Sequence, residues 1–413
     1  MRCEATRSDH DAALRSPTAP PVALRLCTAV LLALAAYDLA FLAIGAWRGD
    51  SQRFGDFFAL WSFAGYASEH GADALYDPEA LHRFQRQLDP GFDGGYPLGY
   101  PPNMLLLLWP LWRLKLTAAF LAWTGITGLL YAAATLGRDW RSRAGFALLA
   151  APTTLIQLYF GQTGFLSAAL LLAGLRHART RPILAGVLFG VLTCKPQLGL
   201  LVPVALAAAG LWRCAAAACA TLALLVMASS VLFGASVWMQ WADSVPHYWS
   251  VFAASRGELV HLMPTVDATM LRLGSPPAVA RAVQLAAALA VVAGLWAGIR
   301  RAGIEHAATA LPVAAFLVTP YAFAYDLPML TAAVVLHVRR HGVSASALEI
   351  AVAALALCMP IEMLVPGGPP LELPLLAALF ALMTRRALKP HALSGRVLAP
   401  AVPSASLPLA ALS

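Results

Sequence analysis

Hydrocarbon comes in blocks along this chain. Apolar stretches occupy residues 22–47, 101–137, 144–160, 164–176, 183–195, 198–212, 214–233, 276–299, 307–320, 323–338, 346–360 and 370–384. The longest exceed the ~20 residues that an α-helix needs to cross about 30 Å of hydrocarbon. In that medium the backbone must satisfy its own hydrogen bonds, which leaves helices and closed barrels. The pattern predicts an all-α polytopic membrane protein, a bundle of about 12 transmembrane helices.

The punctuation between the blocks is arginine: Arg138, Arg141 and Arg143; Arg176, Arg179 and Arg181; Arg213; Arg300 and Arg301; Arg339 and Arg340; Arg385, Arg386 and Lys389. Cytoplasmic loops collect such charge, so these groups are placed inside and the intervening turns outside. The stretch 101–137 has room for two helices, with WPLWRLKL as the turn. Two crossings there would put every later arginine group outside. Parity therefore favours one net crossing, with 103–115 as a re-entrant or surface segment.

Several blocks are short and meet at Gly or Pro, in FGQTG at 160–164, CKPQLG at 194–199 and TPYAFAYD at 319–326. Broken backbone at membrane depth is tolerated where it faces protein or a wet cavity. With the arginines inside, these breaks share the outer side with GYPLGYPP at 95–102 and with the two longest polar loops, 48–100 and 234–275. An outward-facing cavity roofed by two loops uses all of these features. In the first loop, Phe57, Trp61 and Ala64 recur at i, i+4, i+7 and Leu81, Phe84 and Leu88 at i, i+3, i+7. Both patterns predict short amphipathic helices lying on the membrane surface. Asp77 and Pro78 suit the N-cap and first turn of the second.

Composition narrows the chemistry. Of 413 residues, 60% are apolar and 12% charged, with a mean hydropathy of +0.69. The net charge of +8 would point to nucleic acid in a soluble protein, but here it reports topology, so no nucleic-acid partner is expected. Six scattered cysteines show no metal-ligand spacing, and neither GxGxxG, Walker nor HExxH patterns occur. No metal and no bound cofactor is expected. Residues 1–21, with Pro17, Pro20 and Pro21, read as a disordered cytoplasmic lead, 22–389 as the transmembrane domain, and 390–413 as a flexible tail.

A few polar residues interrupt the apolar field. Asp56 sits at the outer edge, where it can take a proton from a sugar hydroxyl or simply cap a helix. Tyr100 belongs to YPP, whose prolines fix the entry to a span, and counts among the substrate-binding candidates. Gln162, at the GQTG break, can bind sugar hydroxyls or a frayed helix end. Lys195, one of three lysines, lies between apolar half-spans and needs a counter-ion. Followed by Pro196 and Gln197 it suits a lipid-linked phosphate; the alternative is an internal pair with Asp38 or Asp326. Tyr321, Tyr325 and Asp326 crowd the mouth of another short span, and Asp38 reads as a packed residue inside the first.

In chain order, GDFFALW, YPP, PTTLIQLYFGQTG, AGVLFGVLTCKPQ and TPYAFAYDLPML resemble glycosyltransferase family 87, enzymes of the GT-C type that use polyprenyl-phosphate sugars. The resemblance runs over residues 50 to 340. It implies an inverting transferase in the plasma (inner) membrane, N-terminus cytoplasmic and active site on the periplasmic side. An aspartate of the first outer loop, here Asp56, would be the general base, and a polyprenyl phosphate would leave. Relatives transfer mannose to glycolipid mannosides, and often carry a histidine in the motif where this chain has Tyr325 and Asp326. The donor is thus expected to be a polyprenyl-phosphate hexose, and the acceptor a glycolipid or glycan. Donor phosphate contacts would fall to Lys195, Gln197, Tyr325, Arg256 and His261, with Arg272 in reserve, and other substrate contacts to Tyr100, Gln162, Tyr321 and Asp326. Trp61, Tyr66, Trp109, Trp238 and Trp249 can stack on sugar rings or anchor the protein at the interface. The competing class is a lipid or solute transporter with Asp38, Lys195 and Asp326 as a charge relay; the chain shows no evident internal repeat.

Overall fold

The computed structural model describes residues 54–389, apart from 73, 93–97, 255–258, 342–345 and 364–367, together with four alanines between 33 and 43. The lead 1–21, nearly all of the block 22–47 including Asp38, Arg256 and the tail 390–413 lie outside the described residues, as does the side chain of Trp249. Every regular element among the described residues is helical. The main ones are α1 (Asp56–Glu69), α2 (Pro78–Leu88), α3 (Leu116–Leu136), α4 (Pro152–Phe160), α5 (Gly164–His177), α6 (Pro182–Leu192), α7 (Val202–Ala209), α8 (Trp212–Phe233), α9 (Ser236–Ala254), α10 (Val266–Arg272), α11 (Pro277–Ala302), α12 (Ile304–Val318), α13 (Pro328–His341), α14 (Ala347–Met363) and α15 (Glu372–Leu388).

Three helical stretches, Leu116–Asp139, Trp212–Phe233 and Pro277–Ala302, are long and apolar enough to cross a membrane. Their Ile126, Leu129, Leu224, Val231, Leu285 and Leu289 stay exposed. Exposed rows of that kind are costly in water and at home among lipid tails. Other apolar blocks form helices of 10–17 residues; at 1.5 Å per residue, the 14 residues of α5 rise only about 21 Å. Both α5 and α12 are buried over most of their length, so the short helices form the core that the long ones flank. Where α6 meets α8, a Cβ on Gly186 would lie 2.4 Å from the Ala217 Cβ, and one on Gly190 2.4 Å from the Thr221 Cβ. The small-xxx-small spacing of these glycines lets the two backbones touch.

The short helices also give the bundle two unlike ends. At one end are Arg176 in the last turn of α5, Glu305 at the start of α12, and Arg339 and Arg340 at the end of α13. They are tied by Arg339–Asp139 at 2.5 Å, Arg179–Glu305 at 3.5 Å and a bond from Arg340 to the Glu305 carbonyl at 2.9 Å. At the opposite ends of the same helices lie Gln162, Thr319 and Asp326. The polar breaks and the arginine groups are therefore segregated along the bundle axis.

One expectation is corrected here. The α1 helix does not lie on a surface: Phe57, Phe58, Leu60, Phe63 and Ala64 are all buried, around the whole helix. Its shield is the broken segment 102–113, whose Trp112 ring lies 4.4 Å from that of Trp61, together with the next residue, Leu114, whose carbonyl accepts from the Trp61 indole at 3.1 Å. Consequently 101–137 contains one long helix, α3, preceded by this covering segment. The second loop helix, α2, does start with Asp77 as N-cap, accepting from the Glu79 and Ala80 amides, and Pro78 in the first turn.

Candidate active site

Glycines bring the polar breaks together. The left-handed Gly161 (φ +63°) ends α4 and turns the chain at once into Gln162; a Cβ there would strike Phe57 at 2.5 Å. A Cβ on Gly164 would stand 1.8 Å from the Tyr325 carbonyl oxygen, so the GQTG and TPYAFAYD backbones are in direct contact. The Trp123 indole donates to the Gln162 carbonyl at 3.2 Å, fixing the break from the side of α3.

Asp56 does not cap its helix. The N-cap is Gly55, no side chain caps the turn, and the Asp56 Oδ2 instead accepts from the Gln162 Nε2 at 3.1 Å. The Gln162 Oε1 accepts from the Tyr100 hydroxyl at 2.7 Å, and that hydroxyl is 3.3 Å from the Thr163 Oγ1. Lys195 Nζ donates to Thr163 at 3.1 Å and to the Asp326 Oδ1 at 2.5 Å, while the Phe323 amide donates to the Asp326 Oδ2 at 3.2 Å. Lys195 also lies 4.7 Å from the centre of the Tyr325 ring, a cation–π contact. Five separate sequence breaks thus share one hydrogen-bonded network.

The network borders a cavity of about 660 Å³ lined in part by Asp56, Tyr100, Gln162, Lys195, Gln197, Tyr321 and Tyr325. Apolar and aromatic groups, among them Phe63, Phe160, Leu200, Trp241 and Phe323, complete the wall. That size and mixture suit a ligand with a polar head and a hydrocarbon part. Asp56 borders this cavity, and its carboxyl is pushed up to about 6 by desolvation, against the opposing pull of the Gln162 bond and the Lys195 charge. Burial likewise raises the Tyr100 and Tyr248 hydroxyls, which stay neutral.

Most sequence candidates converge here. Asp326 lies beneath the wall, fully buried against Lys195, so the internal ion pair is the arrangement Lys195 adopts. His261, on the turn Val260–Leu262, is not part of the lining, although its neighbours Leu259 and Leu262 are. Arg272 is committed elsewhere, to Glu372 and to the Gly368 carbonyl at 2.9 Å. None of Trp61, Tyr66, Trp109 and Trp238 lines the cavity: they pack on Trp112, His70, Phe233 and Trp241. Sequence reasoning missed Trp241 and Tyr248, which descend from α9; Tyr248 bonds the Tyr321 hydroxyl and packs against Gly99. Their signal was the i, i+4, i+7 stripe of Trp241, Val245 and Tyr248. Among the described residues no three His, Cys, Asp or Glu side chains gather in a metal-binding cluster.

The model of glycosyltransferase family 87 matches residues 98–320, more than half of the chain, and takes in Tyr100, Gln162, Lys195 and Tyr248. Asp56, Tyr325 and Asp326 fall outside the matched stretch. No curated protein and no solved structure matches the chain. The chain belongs to glycosyltransferase family 87 and is a membrane glycosyltransferase.

Proposed function

We propose that the protein is an inverting GT-C-type hexosyltransferase of about 12 spans, moving a hexose, with mannose first in line, from a polyprenyl-phosphate sugar to a glycolipid or glycan. The observation that carries this reading is the placement of Asp56. Its carboxylate faces a cavity of polar and hydrocarbon character, with Oδ2 held by Gln162 and Oδ1 left for a substrate hydroxyl. A carboxyl near 6 is ionised at neutral pH yet basic enough to accept a proton in the transition state.

In this reaction Asp56 takes the acceptor hydroxyl proton as that oxygen bonds to the anomeric carbon. The bond from that carbon to the phosphate oxygen breaks, and its electron pair leaves with the polyprenyl phosphate. The phosphate is assigned to the side of the cavity near Gln197 and Tyr321. The polyprenyl chain follows the apolar wall toward the lipid. By the positive-inside rule, the segregation of arginines from the cavity supports a site on the outer face of the plasma membrane, where nucleotide sugars are absent and lipid-linked donors are the available class.

The reading is tested by reconstituting the purified protein in lipid with a panel of radiolabelled polyprenyl-phosphate hexoses and host-membrane extract. Label passing from one donor into an extractable acceptor supports it and names the sugar. Vesicle uptake of a solute or lipid with no donor consumed would replace it with a carrier.

A further inference from the structure

The chain from Lys195 to Asp56 has a direction. An ammonium can only donate, and Lys195 gives one N–H to Asp326 and another to the Thr163 Oγ1. Thr163, having accepted, keeps its own hydroxyl hydrogen for Tyr100, 3.3 Å away. Tyr100 then gives its hydrogen to the Gln162 Oε1. With its oxygen so engaged, the Gln162 amide must present nitrogen to Asp56; a flipped amide would set oxygen against carboxylate. Every link is a donor to the next, from a cation that cannot accept to a carboxylate that cannot donate.

We propose that Lys195, Thr163, Tyr100 and Gln162 act together as a positioning relay for Asp56, with Lys195 serving the reaction through this chain rather than as a ligand of the donor phosphate. The inference rests on Asp56 being the base, and it gives Tyr100 and Gln162 a task other than sugar binding. The relay pins Oδ2 and so selects Oδ1 as the atom that meets the acceptor proton. Misplacing a reacting group by about 1 Å can cost on the order of 10²-fold in rate. The titratable groups facing Asp56 are Lys195, Tyr100, Tyr248 and Tyr325; none of the substitutions below adds or removes a charge among them.

The test compares Tyr100→Phe, Thr163→Val and Thr163→Ser in steady-state transfer, at varied donor concentration and across pH 5 to 9, using whichever polyprenyl-phosphate hexose the wild type consumes. Tyr100→Phe and Thr163→Val are each expected to lower kcat about 10- to 100-fold with donor KM nearly unchanged. They should also move the acidic limb of the pH profile upward, since a freed amide no longer stabilises the ionised carboxylate. Thr163→Ser should restore what Thr163→Val loses, which a packing role would not require. A raised donor KM at unchanged kcat would overturn the relay and return these residues to donor binding; so would a Tyr100→Phe enzyme with wild-type kcat and pH limb. Asp56→Asn separates the two levels: if it is inactive while Tyr100→Phe is normal, only the relay falls, and if it stays active the base assignment falls with it.

Discussion

The Lys195 ammonium lies 2.5 Å from the Asp326 carboxylate, with the two side chains only 2% and 0% exposed. Removing one member of a buried pair strands the other charge, which costs about 3–5 kcal/mol, whereas replacing both by apolar groups is near neutral. Lys195→Met alone is expected to destabilise by about 3 kcal/mol. Lys195→Met with Asp326→Leu should recover most of the thermal midpoint without recovering transfer. A double variant as unstable as the single one would show that the pair is not what the fold depends on.

Transfer should depend on pH through Asp56. A base works ionised, and desolvation holds this carboxyl at about 6. Rate should therefore be flat above about pH 7 and fall tenfold per unit well below about pH 6. The acidic limb of kcat/KM measured on reconstituted enzyme checks this; a limb near 4 would mean that water reaches Asp56 freely.

The same shift has a stability sign. A carboxyl raised from 3.8 to about 6 holds its proton more tightly in the folded than in the unfolded chain, so ionised Asp56 is a cost, complete above about pH 6 and absent below about pH 4. Asp56→Asn is expected to be more stable than wild type at pH 7.5, by on the order of 1 kcal/mol, and to lose that advantage as pH falls toward 4. Thermal midpoints of the two proteins at both pH values decide it.

Two glycine-to-alanine changes should differ sharply. At Gly164 the new methyl would meet the Tyr325 carbonyl at 1.8 Å, so the two site segments must part and transfer should be lost. At Gly125, inside α3, a methyl would meet no described residue beyond its own helix within 4 Å, and Ala should be neutral or stabilising by up to about 1 kcal/mol. Expression level and transfer rate of both variants check the contrast.

The helical class and the polar breaks were legible because apolar blocks and glycine or proline interruptions are local patterns. Arginine parity gave 101–137 a single net crossing, and the structure places one long helix there. The burial of α1 was not legible: Phe57, Trp61 and Ala64 mark one face, which Trp112 covers from about 50 residues away, while Ser62 and Tyr66 on the opposite face meet Gln85 and Phe84 of α2, and no local period encodes those partners. Lys195 carried two readings because sequence shows a buried cation without its counter-ion. The contact with Asp326, 131 residues on, supplies that counter-ion. Tyr248 escaped notice because tyrosine near an interface is ordinary, and its meaning comes from Tyr321 across the cavity.

The most direct measurement sets wild type beside Asp56→Asn in the same lipid, with the same radiolabelled polyprenyl-phosphate sugar and acceptor extract. Wild type should move label from donor to acceptor. The variant should bind the donor and remain folded, with transfer lowered by 10³-fold or more, on the order expected for loss of a general base. Equal transfer by the two proteins would contradict the assignment of Asp56 as the base.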